Sequence, residues 1–194
     1  MNKTLIITAA FLCFILQNGL GQRRFRAAAV GGINLVQLDG DGLFGFHQAK
    51  LQGGLKVYTR LSERWEFGVG ILYTQHGSKR AVVDFPSEFN KIDLNMVEVP
   101  ILFHFHEWKF LVNGGFSYSR LINYHILSDK DEDVTADYQF EPTIFSIILG
   151  VTLNINEHFG VDLRWSKSLN SLYTREDNLK MITRVFAIRG MYFF

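Results

Sequence analysis

From Arg24 to the last residue, apolar side chains recur at every second position. A period of two is the mark of a β-strand whose two faces meet different surroundings. In Trp65-Glu66-Phe67-Gly68-Val69-Gly70-Ile71-Leu72-Tyr73, one face carries Trp, Phe, Val, Ile and Tyr, and the other carries Glu66, Gly68 and Gly70. Phe159 to Ser166 repeats this with Phe, Val, Leu and Trp against Gly, Asp, Arg and Ser. Eight such segments can be drawn, at about 24–36, 46–60, 65–76, 91–104, 108–122, 138–155, 159–170 and 179–194. Most exceed the roughly 5–6 residues of an ordinary globular strand. They suit a tilted strand crossing a bilayer, which takes about 9–11 residues plus overhang.

The connections alternate in length. Leu61 to Arg64, Phe105 to Glu107 and Asn156 to His158 read as tight turns, whereas Gly77 to Asn90 and Ser128 to Asp137 read as long polar loops. Tight turns at one end and long loops at the other are the arrangement of an outer-membrane barrel. The fold expected is all-β, an eight-stranded antiparallel transmembrane up-and-down β-barrel over residues 22–194. Its first strand would enter from the periplasm, so that the long loops face outward.

The N-terminus carries an export signal. Met1-Asn2-Lys3 is short and basic, Thr4 to Leu16 is apolar, and Gln17 to Gly21 is polar and small. That order predicts a cleaved secretory signal peptide over 1–21, too short to span comfortably as a helix. Cys13, the only cysteine, would leave with it, so the mature chain has no thiol for a disulfide or a zinc site. Without Lys3, Lys plus Arg falls from 20 to 19 and balances 19 Asp plus Glu. Such a balance gives no reason to expect a nucleic-acid partner. The longest later apolar run, Ile144 to Ile155, is interrupted by Ser146, Gly150, Thr152 and Asn154.

The faces predict their surroundings. Leu51, Leu55, Val57, Phe67, Val69, Ile71, Val97, Val99, Ile101, Phe103, Val112, Phe116, Ile147, Leu149, Val151, Val161, Leu163, Phe186 and Ile188 should meet lipid. Trp65, Trp108, Phe110, Phe159 and Tyr192 should form one aromatic band, and Tyr73, Tyr118 and Trp165 the other. Lys50, Gln52, Lys56, Tyr58, Glu66, Glu98, Asn113, Asp162, Arg164 and Arg189 should face inward. Eight strands leave an interior that side chains fill, so these charges should pair as a polar plug rather than line an ion path.

Gly31-Gly32-Ile33-Asn34-Leu35, Gly40-Asp41-Gly42, the run Glu66 to Ser78 and Val97-Glu98-Val99-Pro100-Ile101-Leu102 give the chain a family likeness. It resembles the outer-membrane β-barrel family of Bacteroidetes, labelled PorT-like or porin-like, across nearly all of the mature chain. The resemblance implies a barrel without catalytic residues. Gly190-Met191-Tyr192-Phe193-Phe194 closes the last strand on aromatics, as barrel assembly machinery expects.

Three clusters deserve a chemical reading. His76-Gly77-Ser78 offers a base and a nucleophile at the outer end of the third strand, comparable with the His-x-Ser element of lipid A deacylases. Without a placeable acid it is read as a polar strand end. Asp129-Lys130-Asp131-Glu132-Asp133 resembles the start of a calcium loop, but Val134 stands where the turn glycine belongs and Phe140 where the last Glu belongs. It is read as a solvated loop. His104 and His106 are read as interfacial polar residues, since two histidines do not make a metal site. No phosphate loop or dinucleotide fingerprint is present, so no cofactor and no metal are expected. The function expected is non-enzymatic: a structural or interaction role in the outer membrane, with its lipids as neighbours and a protein partner at the outward loops. The alternatives are a lipid A hydrolase and a small diffusion pore.

Overall fold

Outward β-branched and aromatic residues alternating with small or polar inward ones turn nearly every expected segment into strand. The computed structural model describes residues 24–39, 48–80, 89–174 and 180–194, and the expected signal peptide lies outside them. The long strands are β1 (Phe25–Asp39), β2 (Gln48–Arg60), β3 (Trp65–Lys79), β4 (Phe89–Glu107), β5 (Phe110–Ser128), β6 (Thr143–Asn154), β7 (Phe159–Ser168) and β9 (Lys180–Phe193). A two-residue strand, β8 (Tyr173–Thr174), pairs only with β9.

Each long strand pairs antiparallel with the next, and β9 pairs with both β7 and β1. Gly31 thus lies between Gly53 of β2 and Gly190 of β9, and the sheet closes into a barrel of eight long strands. Closure leaves no open edge, the condition for backbone polar groups in hydrocarbon. The β3–β4 ladder lapses at Gly70 and Ile71, opposite Pro100 and Val99. Proline has no N–H to give a ladder.

Several boundaries differ from the sequence expectation. The turn between β4 and β5 is Trp108-Lys109, so β4 runs through Phe105 to Glu107 instead of ending at 104. Trp108 takes a left-handed φ of 54° there, costly for a bulky side chain. β5 extends to Ser128, and β6 begins at Thr143 rather than 138. Tyr138 to Pro142 instead belongs to a loop with a single 3-10 turn at Thr135–Asp137. β3 reaches Lys79, three residues past expectation, and β8 was not foreseen.

The face pattern changes along the barrel axis. Near the short turns and through the middle, the expected apolar residues point outward: Leu51, Leu55, Ile71, Phe103, Phe116 and Leu163 are all exposed. Toward the loop end the apolar phase inverts. On β4, Val97, Ile101 and Phe103 face out, but Ile92, Leu94 and Met96 are buried inside, with Lys91, Asp93 and Asn95 on the other face. β1 switches between Leu35 and Val36, and β9 between Val185 and Phe186. Above this level the outer face is largely polar, with Ile122 left exposed on β5. Tyr73 hydroxyl donates to Asn95 at 2.8 Å, and Asn95 donates to Asn123 at 2.6 Å. The surrounding medium therefore changes from lipid to water at this height, and apolar side chains move inside.

Candidate functional site

The inward side chains stack in three layers. At the turn end Ala28, Val30, Tyr58, Leu72, Met191 and Phe193 form a buried cluster. Arg26 covers it: its guanidinium lies 4.1 Å from the Phe193 ring centroid and 5.3 Å from that of Tyr58. Arg26 also pairs with Glu66 at 3.1 Å, and His106 Nε2 lies 3.0 Å from the same carboxylate oxygen. His104 is buried with its ring edge-on to Tyr58 at 5.0 Å. The interfacial reading of His104 is thereby corrected: an even-numbered position on β4 at this level points inward.

The middle layer is charged. The Arg164 guanidinium on β7 binds Glu98 on β4, three strands away around the wall, so this pair spans the lumen. Arg189 on β9 donates through Nε at 2.9 Å, and through a second nitrogen, to one oxygen of Asp162 on β7. The other Asp162 oxygen accepts from Thr152 at 2.8 Å. Gln52 joins the pairs: its oxygen accepts from Arg189 at 3.3 Å and its amide nitrogen donates to Glu98 at 3.1 Å. Asn34 donates to Thr74 at 2.8 Å beside them. Lys56 is buried in this layer without a hydrogen-bond partner among the described residues. Three cations, Lys56, Arg164 and Arg189, thus face two carboxylates, Glu98 and Asp162.

Glycines on the inner wall make room for these groups. A Cβ on Gly70 would meet Lys56 Cγ at 2.8 Å, and one on Gly32 would meet Arg189 Cγ at 2.9 Å and the Ile188 carbonyl at 2.2 Å. One on Gly68 would meet His104 Nε2 at 2.9 Å. A narrow polar space remains among His76, Asn34, Gln52, Glu98, Arg164 and three serines, with about 10 Å³ of room. That is close to what a single water requires.

The third layer, at the loop end, is an apolar cap. Val36, Leu38, Phe89, Ile92, Leu94, Met96, Ile126, Phe140, Ile144, Leu172, Met181 and Val185 are buried together. Loop aromatics complete it. Phe89 packs on Tyr138 at 5.2 Å, Tyr124 on Phe140 at 5.0 Å, and Tyr173 on both Tyr138 and Phe140 at 5.7 Å. The Tyr124 hydroxyl donates to the Tyr138 carbonyl at 2.8 Å, and Glu141 N–H to the Leu172 carbonyl at 2.8 Å. The sequence reading anticipated only a polar plug. The missed signal was the change of apolar phase at Leu35-Val36, Met96-Val97 and Val185-Phe186.

His76 and Ser78 both fall on the inward face of β3. Ser78 is buried, and His76 lines the narrow polar space with Glu98 and Arg164. They lie on the side of the wall opposite to lipid. The acidic tip is an ordered turn. Ser128 N–H donates to the Glu132 carbonyl at 2.9 Å, Asn90 binds Asp131, and Asp131 itself has a φ of 63°. Asp133 accepts from the Thr135 hydroxyl at 2.5 Å and from its N–H at 3.0 Å, which holds its carboxyl below the usual carboxylate range. Among the described residues, no three acidic, histidine or cysteine side chains converge to hold a metal.

A closed antiparallel sheet, apolar around its waist and polar within, defines a transmembrane barrel of the outer-membrane class. The protein belongs to the family described as outer membrane protein beta-barrel domain, which matches residues 6–192. Membership implies the outer membrane as its location, with lipids around its waist. Among solved structures it is similar to Neisserial surface protein A, with a TM-score of 0.50 at 10% identity over 87% of this chain and 96% of that one. It is also similar to Ail of Yersinia pestis, with 13% identity, coverage of 88% and 99%, and a TM-score of 0.49. OprG of Pseudomonas aeruginosa follows with 14% identity, coverage of 88% and 95%, and a TM-score of 0.41. At these identities the likeness concerns the fold. No curated protein matches the sequence.

Proposed function

We propose that the protein is a non-enzymatic, sealed barrel that presents its long loops to a macromolecular partner outside the cell. The observation that carries this reading is the loop-end cap. Phe140, Leu172 and Tyr173 come from loop-end segments, so the residues that close the lumen also hold the described segments 129–142 and 169–174 in place. An ordered loop loses less entropy on binding than a free one. The Arg164–Glu98 pair across the middle and the Arg26-covered cluster at the other end oppose a pore. The inward placement of His76 and Ser78 opposes a hydrolase acting on a lipid outside the wall.

A kinship with the PorT-like barrels of Bacteroidetes belongs to the same proposal. Its support is the Glu98-Val99-Pro100 element, in which Glu98 holds the lumen-spanning ion pair and Pro100 coincides with the lapse in the β3–β4 ladder.

Crosslinking in intact outer membranes, followed by recovery of the barrel, tests the interaction role. A partner captured through a photoreactive group at Lys130, and not through one at Ser62 on a short turn, is the expected result. Capture through Ser62 alone would move the role to the periplasmic side. Steady channels of porin size in planar bilayers would replace the reading with a pore.

A further inference from the structure

The outward face of β7 and β9 carries an arrangement that barrel closure does not explain. Leu35, Phe186, Trp165 and Leu149 form one row across β1, β9, β7 and β6. Two residues further toward the loops, Arg184 of β9 stands directly opposite Lys167 of β7. Like charges in direct cross-strand register destabilise a sheet unless something neutral or anionic lies between them. Arg184 Nε reaches Asp39 at 2.8 Å, and Gln37 donates to the same carboxylate at 3.2 Å. Lys167 has no carboxylate among the described residues, so the row holds a surplus positive charge.

Its height is informative. Lys167 is eight residues from Phe159, about 26 Å along a strand that rises roughly 3.3 Å per residue. At a tilt of about 40° that is roughly 20 Å along the membrane normal, near the upper edge of an apolar band about 25 Å tall. The pair thus lies near the upper boundary of the apolar band, one row above the aromatic ring of Trp165, and its long side chains can reach up to the headgroup level. Beneath it a groove of about 500 Å³ runs over the wall, with Leu35, Leu149, Leu163, Trp165, Phe186 and Ile188 on its sides.

We propose that this face binds a lipid bearing a phosphate-monoester headgroup, its phosphate held between Lys167 and Arg184 and one acyl chain lying in the groove below. Charge-assisted bonds to phosphate relieve the repulsion between the two cations. The groove fixes the chain beside Trp165, which supplies a reporter. The site is independent of the loop-partner reading, and its failure leaves that reading intact.

Trp65 and Trp108 are replaced by Phe, leaving Trp165 as the sole tryptophan. The barrel is refolded in phosphatidylcholine vesicles carrying a minor fraction of bromine-labelled phosphatidic acid or bromine-labelled phosphatidylcholine, and quenching of Trp165 is compared. The expected result is about a tenfold preference for phosphatidic acid, a difference of about 1.4 kcal/mol. Adding K167Q and R184Q should abolish it, while R64Q at the opposite rim should preserve it. Equal quenching by the two lipids overturns the proposal, and so does a preference that survives the double substitution. Displacement of the lipid by inorganic phosphate at matched concentration also overturns it, because the chain would then add nothing. A second measurement needs no binding constant. K167Q should raise the urea midpoint in pure phosphatidylcholine by relieving repulsion, and lower it when phosphatidic acid is present. An effect of the same sign in both lipids is the contrary result.

Discussion

Arg189 and Asp162 face each other across the β7–β9 ladder, both without measurable exposure of their side chains, and the guanidinium directs two nitrogens at one carboxylate oxygen. Removing one member of such a pair leaves a buried charge without its counter-ion, at a cost of about 3–5 kcal/mol. Asp162→Asn and Arg189→Gln should each lower the unfolding free energy in lipid vesicles by that order. The double replacement Asp162→Leu with Arg189→Met should recover most of the loss, because apolar pairs of similar volume often replace buried ion pairs at little net cost. A double variant as unstable as the sum of the singles would show that the two residues are not coupled.

Leu163 is adjacent to Asp162 in sequence and points the opposite way, half-exposed between Ile188 and Val151. An arginine at the lipid-facing midplane costs about 2–4 kcal/mol. Leu163→Arg should therefore depress the denaturation midpoint in vesicles. Arginine in place of exposed Leu61, in the β2–β3 turn outside that band, should cost little. Equal losses at both positions would contradict the assigned lipid boundary.

The cap can be opened without touching the charges. Phe89 is buried and packs on Tyr138, and truncating a buried phenylalanine costs about 3–5 kcal/mol. Phe89→Ala should loosen the 129–142 segment, seen as faster amide exchange at Val134 and Glu141. It should give no conductance, because the middle layer and the turn-end cluster still close the lumen. Conductance from this single change would mean that the cap alone seals the barrel.

Topology is open to direct labelling. Lys130 and Ser62 are both exposed, at opposite ends of the barrel. A cysteine at 130 should react with an impermeant reagent on whole cells, and one at 62 only after the outer membrane is breached. The opposite pattern would invert the barrel.

The outer loop should respond to acid. Hydrogen bonds from Thr135 lower the Asp133 carboxyl from its ordinary value of about 3.9. A carboxylate depressed in the folded state contributes order that is fully present above that ordinary value and is lost as pH falls through the depressed one. Protection of the Thr135 amide should therefore hold from neutral pH to about pH 4 and decline below it. Asp133→Asn should weaken that protection above about pH 4 and leave it unchanged at lower pH, where the parent carboxyl is already protonated, and an acid response that persists in Asp133→Asn would assign it to another group.

The strand content, the two faces and the sorting of loop lengths were legible because period two is a local property of the chain. Of the residues assigned to the lumen, Gln52, Lys56, Tyr58, Glu66, Glu98, Asn113, Asp162, Arg164 and Arg189 are buried inside, whereas Lys50 pairs with Asp93. The partners were not legible. Arg164 and Glu98 are separated by 66 positions in sequence, and nothing local brings them together. The ends of elements were also misplaced. The Trp108-Lys109 turn lacks turn-forming residue types, and Tyr138 to Phe140 has a strand's composition but spends its aromatics on the cap. From sequence His76 and Ser78 read as a rim, because the polar residues around them suggest the end of a strand. The water-facing part of a barrel wall carries such residues without ending.

The inversion of apolar phase divides the wall along β1, β4 and β9 into two unlike zones. Below it stands a wall built for oil; above it, a wall built as a water-soluble protein would be, with its grease inside. On β4 the upper part runs from Met96 to Phe89, about 23 Å of strand, or roughly 17 Å of height at the usual tilt. β5, paired with β4 along this stretch, thereby carries the turn that follows it, Asp129 to Asp133, well above the level at which the wall changes character. A partner gripping that turn would meet it without pressing against the headgroups, whereas shortening β4 and β5 by two residues each would keep the alternation and the lumen yet lower the turn toward the membrane.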